Sequence, residues 1–229
     1  MYWHDTNTVR FFGGIILSLL SLLGFILGIR RNFKNPSKQL KIIPFYLALI
    51  FAQIQTLEFT INESITEINN VPVNKLSLGI FIPLELIFLS SILYNSICSK
   101  AIKKFLVIAP SAFAIITPTT WNFFKNDDSF ISFISTTESL FLLVPSAFYF
   151  YEITTKPPVF QLNKEPSFWT TTGILFLITI ITPFSIVFGF IPYEIKQTLD
   201  YLGYLILICL FIKALTCSQQ AAIQESQLL

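Results

Sequence analysis

Apolar runs of about 20 residues, long enough to cross a bilayer as an α-helix, recur seven times in this 229-residue chain. They lie near residues 11–29, 42–61, 77–98, 102–121, 130–150, 168–190 and 197–216 and consume most of the sequence. Only 12% of the residues are charged and 53% are hydrophobic, whereas a soluble domain carries about 25% charged residues. The chain therefore reads as one all-α integral membrane domain over residues 1–229, with seven transmembrane helices and no soluble catalytic domain.

Lysine and arginine concentrate on the cytoplasmic side of membrane loops. Of the 15 basic residues, Arg30, Arg31, Lys34, Lys38, Lys41, Lys100, Lys103, Lys104, Lys156, Lys164 and Lys213 fall on one side. Arg10, Lys75, Lys125 and Lys196 fall on the other. This asymmetry predicts the amino terminus outside and the carboxyl terminus inside. In the first run the positive charges follow the apolar stretch, and no small-residue cleavage site comes after it, so it does not read as a cleavable signal peptide. Cys98, Cys209 and Cys217 fall toward the reducing side in odd number, which argues against a disulfide framework and for small helix-packing residues.

One inner loop occurs twice. At an offset of 122, Lys34 coincides with Lys156, Pro36 with Pro158, Gln39 with Gln161, Leu40 with Leu162 and Pro44 with Pro166. The shift carries whole helices onto whole helices, so the expected plan is three helices, a linker helix and three more. Pro44 and Pro166 are expected where their helices begin, since a missing N–H costs nothing there. The second copy also carries Glu165 and Trp169. Residues 156–169, with Lys156, Pro158, Gln161, Pro166 and Trp169, form the expected cytosolic docking surface. A plain helix-start turn is the other reading of the same stretch.

Ionisable residues inside a span are costly and point to function. Glu85 and Glu138 each lie eight residues into their helices, roughly 12 Å below the outer surface at 1.5 Å per residue. Their helices run in the same direction, so the two carboxyls share a depth. Gln53, Gln55 and Glu58 reach a similar level on the second helix, with Gln55 and Glu58 as i, i+3 neighbours on one face. These five residues form the expected ligand or proton pocket, opening outward, with Tyr201 and Tyr204 at its rim. The competing reading is hydrogen-bonded glue between helices. Under the 122 shift Glu85 falls on Leu207 and Glu138 on Ile16, so the pocket is single and asymmetric. Prolines inside helices three to six free backbone carbonyls and bend the helices, with Thr182 expected to serve the carbonyl freed by Pro183.

Enzyme motifs are absent. The only histidine is His4, so a histidine-dependent hydrolase or a metal site has no material. Neither a Gly-x-Ser-x-Gly elbow nor a phosphate-cradling glycine loop occurs, and no cofactor is expected. Lys213 lies close to an inner helix end, where a lysine snorkels to the headgroups, which disfavours a retinal attachment. Topology accounts for the basic residues, so no nucleic-acid partner is expected.

Tyr151-Glu152, Pro157-Pro158, Leu162, Glu165-Pro166-Ser167-Phe168-Trp169 and Gly173, with Pro83-Leu84-Glu85 before them, resemble small bacterial seven-helix membrane proteins of unknown function. Those are similar to the membrane sensor regions associated with histidine kinases. The resemblance implies a multi-pass protein of the bacterial inner membrane, whose partners are the lipid bilayer and a membrane histidine kinase or another membrane protein. The three-plus-one-plus-three plan also looks like that of the SWEET and PQ-loop sugar transporters, although the chain contains no Pro-Gln dipeptide. Two functions follow as expectations: a sensory or signalling module, or a small-solute or proton-coupled transporter. A structural subunit of a larger membrane complex is the third.

Overall fold

A computed structural model describes residues 5–32, 38–62, 67–68, 71–124, 128–155, 162–186 and 193–227, with side chains described within 12–32, 40–58, 76–120, 130–155, 162–186 and 195–217. Its helices are α1 (Asp5–Asn32), α2 (Lys38–Asn62), α3 (Val73–Ser96), α4 (Lys100–Phe124), α5 (Asp128–Thr155), α6 (Pro166–Ile186) and α7 (Tyr193–Gln227). All seven are long and apolar enough to cross a membrane, as in a multi-pass membrane protein. A single 3-10 turn, Leu162–Lys164, precedes α6.

Expectations about the secondary structure need correction. The stretch between α2 and α3 carries no hydrophobic periodicity, yet it contains a two-residue antiparallel ladder, β1 (Glu67–Ile68) with β2 (Val71–Pro72), in which Ile68 faces Val71. Pro44 does not open its helix, because α2 begins at Lys38 and places the proline inside it. Lys38 to Lys41 are good helix formers and add a turn before the ring. Pro166 does stand first in α6. Finally, α7 continues past its apolar stretch to Gln227, since the polar tail contains no residue that stops a helix.

Helices α1, α2, α3, α5, α6 and α7 close into a ring, each packed on the next and α7 back on α1, with α4 leaning on α3 from outside. Half of the α3 span is buried, against 28% of the α4 span, which separates the central helix from the peripheral one. The α4 surface exposes Val107, Ile108, Ile115 and Ile116, apolar residues suited to lipid. Glycines set the closest approaches. A Cβ on Gly24 would come 2.6 Å from Leu47 Cδ1, and one on Gly28 would come 2.8 Å from Pro44 Cγ. The Gly24-x-x-x-Gly28 motif is therefore spent on packing α1 against α2 within the chain.

Within the ring the two ends differ. The end bearing the α1–α2, α3–α4 and α5–α6 connections is filled by Ile43, Leu47, Ile92, Leu93 and Phe211, all fully buried. The opposite end, bearing the α2–α3, α4–α5 and α6–α7 connections, contains a cavity. The α3–α4 turn is short: Cys98 lies in it, exposed, and so is not the helix-packing residue expected. Cys217 does pack, buried on α7, and Cys209 is exposed on the same helix. Thr182 donates to Ile178 O at 2.6 Å, one residue short of Thr179, whose carbonyl is the one Pro183 frees.

Candidate functional site

The cavity is about 180 Å³, and its walls come from α1, α2, α3, α5, α6 and α7. Most of the lining is aliphatic, including Leu17, Ile50, Ile54, Leu142, Leu177 and Ile178. Set into it are Gln53, Glu85, Glu138, Lys196, Asp200 and Tyr204. In an apolar wall each polar group must find a partner or stand at a cost, so their partners define the site.

Glu85 is satisfied. The Tyr46 hydroxyl donates to its Oε1 at 2.5 Å and the Tyr204 hydroxyl to its Oε2 at 2.8 Å. The carboxyl of α3 thus joins α2 and α7, with one phenol on each oxygen. Ring packing aims both phenols. Tyr46 has ring centroids of Phe211 and Phe88 at 5.8 Å and 6.3 Å, and Tyr204 meets the edge of Phe81 at 6.3 Å. Tilted and edge-on aromatic pairs at these separations hold rings in place.

Glu138 is buried on α5, yet its Oε1 has no hydrogen-bond partner. Asp200 Oδ1 on α7 is likewise buried and unpaired, and so is Gln53 Nε2, whose companion Oε1 accepts from Ser77 Oγ at 2.6 Å. Lys196 lies one turn before Asp200, and Tyr204 one turn after it. This i, i+4, i+8 spacing puts all three on one face of α7.

Of the five residues expected in the pocket, the structure brings together Glu85, Glu138 and Gln53. Gln55 and Glu58 lie elsewhere, in a separate depression against α1 that Gly14 and Ser18 also line. There Gln55 Nε2 donates to Ser18 Oγ at 3.0 Å, and a Cβ on Gly14 would come 2.9 Å from Glu58 Oε1. The reason is helical: residues two apart, such as Gln53 and Gln55, point about 160° apart. Tyr204 is a direct donor to Glu85 and not a rim residue. Tyr201 does line the cavity, packs beneath Gly13 and accepts from Gln197 Nε2 at 3.1 Å. Tyr46, Lys196 and Asp200 were not anticipated. The regular spacing of Lys196, Asp200 and Tyr204 was a signal for the last two. Tyr46 gave none, standing 39 residues from its partner.

Of the expected docking residues, Lys156, Pro158 and Gln161 lie outside the described residues. Pro166 opens α6, and the Trp169 indole N–H donates to Asn163 O at 2.9 Å, back into the preceding turn. Cys217 Sγ contacts the same carbonyl at 3.4 Å, and Lys213 Nζ lies 6.0 Å from the Trp169 ring centroid. Trp169 therefore ties the turn to α6, and Cys217 ties the same carbonyl to α7. Among the described residues no group of three His, Cys, Asp or Glu side chains is placed to hold a metal ion. The chain matches no protein-family model, no curated protein and no solved structure.

Proposed function

We propose that this chain is a sensory or signalling membrane module, with the cavity as its receptor site. One observation carries the proposal: a carboxyl-bearing cavity occupies one end of the ring, while the other end is filled by fully buried Leu47, Ile92, Leu93 and Phe211. A ligand can enter such a bundle and change its packing without passing through it. The cavity faces outward and the filled end faces the cytosol of a bacterial inner membrane, in keeping with the excess of basic residues at the filled end. The coupled partner is a membrane histidine kinase or another membrane protein, and the chain itself catalyses no reaction.

The second proposal is a small-solute or proton-coupled transporter, favoured by the order of the ring. Moving α1, α2 and α3 onto α5, α6 and α7 carries α1–α2 contact onto α5–α6, α2–α3 onto α6–α7, and α3–α5 onto α7–α1. That is the pattern of a three-plus-one-plus-three repeat with α4 as linker, a plan known in transporters. The site weighs against it, because Glu85 and Glu138 map onto Leu207 and Ile16.

Copurification from native membranes, followed by flux measurements in reconstituted vesicles, separates the two. A sensory module brings a kinase or another membrane partner with it and moves no solute. Stand-alone uptake that vanishes in Glu85→Gln or Glu138→Gln would sink the sensory proposal and establish the transporter.

A further inference from the structure

We propose that the cavity receives a small protonated amine with a compact apolar body, which names the ligand class of the receptor site above and rests on that reading. Three features of the site lead there.

The first is what the walls leave unmet. Glu138 Oε1 from α5 and Asp200 Oδ1 from α7 are buried acceptors without partners, and both belong to residues lining this cavity. Glu138 is only 6% exposed, so bulk water does not serve it. Gln53 Nε2 is the one unpaired buried donor among the described lining side chains. An ammonium group carries three donors and no acceptor, which matches a wall with surplus acceptors. A carboxylate or phosphate ligand has the opposite inventory.

The second is charge. Glu85, Glu138 and Asp200 line the cavity against a single lysine, Lys196. An anion would oppose ionisation of these acids, and an uncharged ligand would supply them no counter-charge. A cation makes charge-assisted hydrogen bonds there, about twice as strong as neutral ones. The rings of Phe81, Tyr201 and Tyr204 also line the space, and aromatic faces attract an ammonium group further. Glu85 already accepts one phenol on each oxygen, from Tyr46 and Tyr204, whereas Glu138 Oε1 and Asp200 Oδ1 have no donor. Glu85 acts as a positioning residue that fixes the wall.

The third is size and polarity. The cavity measures about 180 Å³ and is mainly aliphatic. An engineered apolar cavity of about 150 Å³ holds benzene, so an apolar body of that size fits with a one-carbon ammonium arm. A bare metal ion would leave the aliphatic wall unfilled.

Benzylamine is the probe, with benzyl alcohol as its neutral counterpart and benzoate as the anionic one. Thermal unfolding of the full-length protein in nanodiscs at neutral pH, followed by tryptophan fluorescence, reads binding as a saturable rise in Tm. The expected result is a rise with benzylamine, none with benzoate, and at least tenfold weaker binding of benzyl alcohol. Glu138→Gln should weaken benzylamine at least tenfold while its own unliganded Tm stays within a few degrees of wild type. If the alcohol or benzoate binds as well as the amine, or if Glu138→Gln binds benzylamine unchanged, the amine assignment is overturned and the receptor cavity stands. If none of the three probes binds, the receptor cavity falls with it.

Discussion

Helix α5 carries one glutamate toward each end of the bundle, and the two are held in opposite ways. Glu152 accepts backbone N–H bonds on both oxygens, from Cys98 to Oε2 at 2.9 Å and from Ser99 to Oε1 at 2.9 Å. It sits at the start of α4, where unpaired amides and the helix dipole favour a carboxylate. Glu138, 14 residues earlier and about 21 Å away along the axis, lies in the cavity with Oε1 unpaired. Fixed backbone donors make the first acid a fastener. Among the described residues none donates to the second acid's Oε1.

The contrast extends to the surrounding halves. The described carboxyl oxygens left buried and unpaired belong to Glu58, Glu138 and Asp200, all in the cavity half. The unmet charged group described in the filled half has the other sign, Arg31 through Nε and Nη1, beside the neutral Asn32 Oδ1. Lipid is as apolar as leucine, so burial alone does not hold helices together in a membrane. Packing and hydrogen bonds do. The filled half depends on close packing, and the cavity half on the Tyr46–Glu85–Tyr204 link.

Breaking that link should have the largest effect. Glu85→Ala removes the acceptor of two phenols and leaves Tyr46, which is fully buried, without a partner. Hydrogen bonds to a charged group contribute about 1.5–3 kcal/mol each, so a loss of about 3 kcal/mol or more is expected in detergent unfolding. Tyr46→Phe and Tyr204→Phe should each cost about 1–2 kcal/mol, and their effects should disappear in the Glu85→Ala background. Independent additivity would show that the link is not a unit.

Next comes the filled half. Leu93→Ala, at a fully buried site, should cost about 2 kcal/mol, the low end of the range for soluble cores, because the transfer part of that cost is absent in lipid. Leu57→Ala at the cavity wall should cost less than half as much, since it enlarges a space already present. Equal costs would mean that the two halves are packed alike. Smaller again is Glu152→Ala, worth about 1 kcal/mol as a helix cap, with a matching rise in hydrogen exchange at Cys98 and Ser99.

Legibility in the sequence followed the same division. Helix number came from apolar length, and the common level of Glu85 and Glu138 from counting eight residues into parallel helices. Both rest on periodicity and depth along one axis. Rotation about that axis was harder. Gln53 and Gln55 were grouped although two residues along a helix nearly reverse direction. Asp200 reads as an interfacial acid until its spacing with Lys196 and Tyr204 is followed around α7. Pairings between helices, such as Tyr46 with Glu85, depend on how the helices are arranged and on ring packing, and no local spacing records them. The bond from the Trp169 indole to Asn163 O, six residues back, likewise depends on how the turn before α6 folds, which no local spacing records.

The smallest stability effect is expected where the chemistry is most specific. Glu138→Leu replaces a buried acid that has an unpaired oxygen with a side chain of similar volume suited to Leu142 and Ile178, which line the same cavity. Removing one partner of a satisfied pair is costly, but replacing an unsatisfied polar group by an apolar one is nearly neutral or stabilising. The expected change is within about 0.5 kcal/mol of zero or favourable, read by the same unfolding measurement that shows Glu85→Ala to be severe. Benzylamine should no longer raise the Tm of this variant. A marked destabilisation would instead show that Glu138 fastens helices as Glu152 does, and the distinction between the two ends of α5 would be lost.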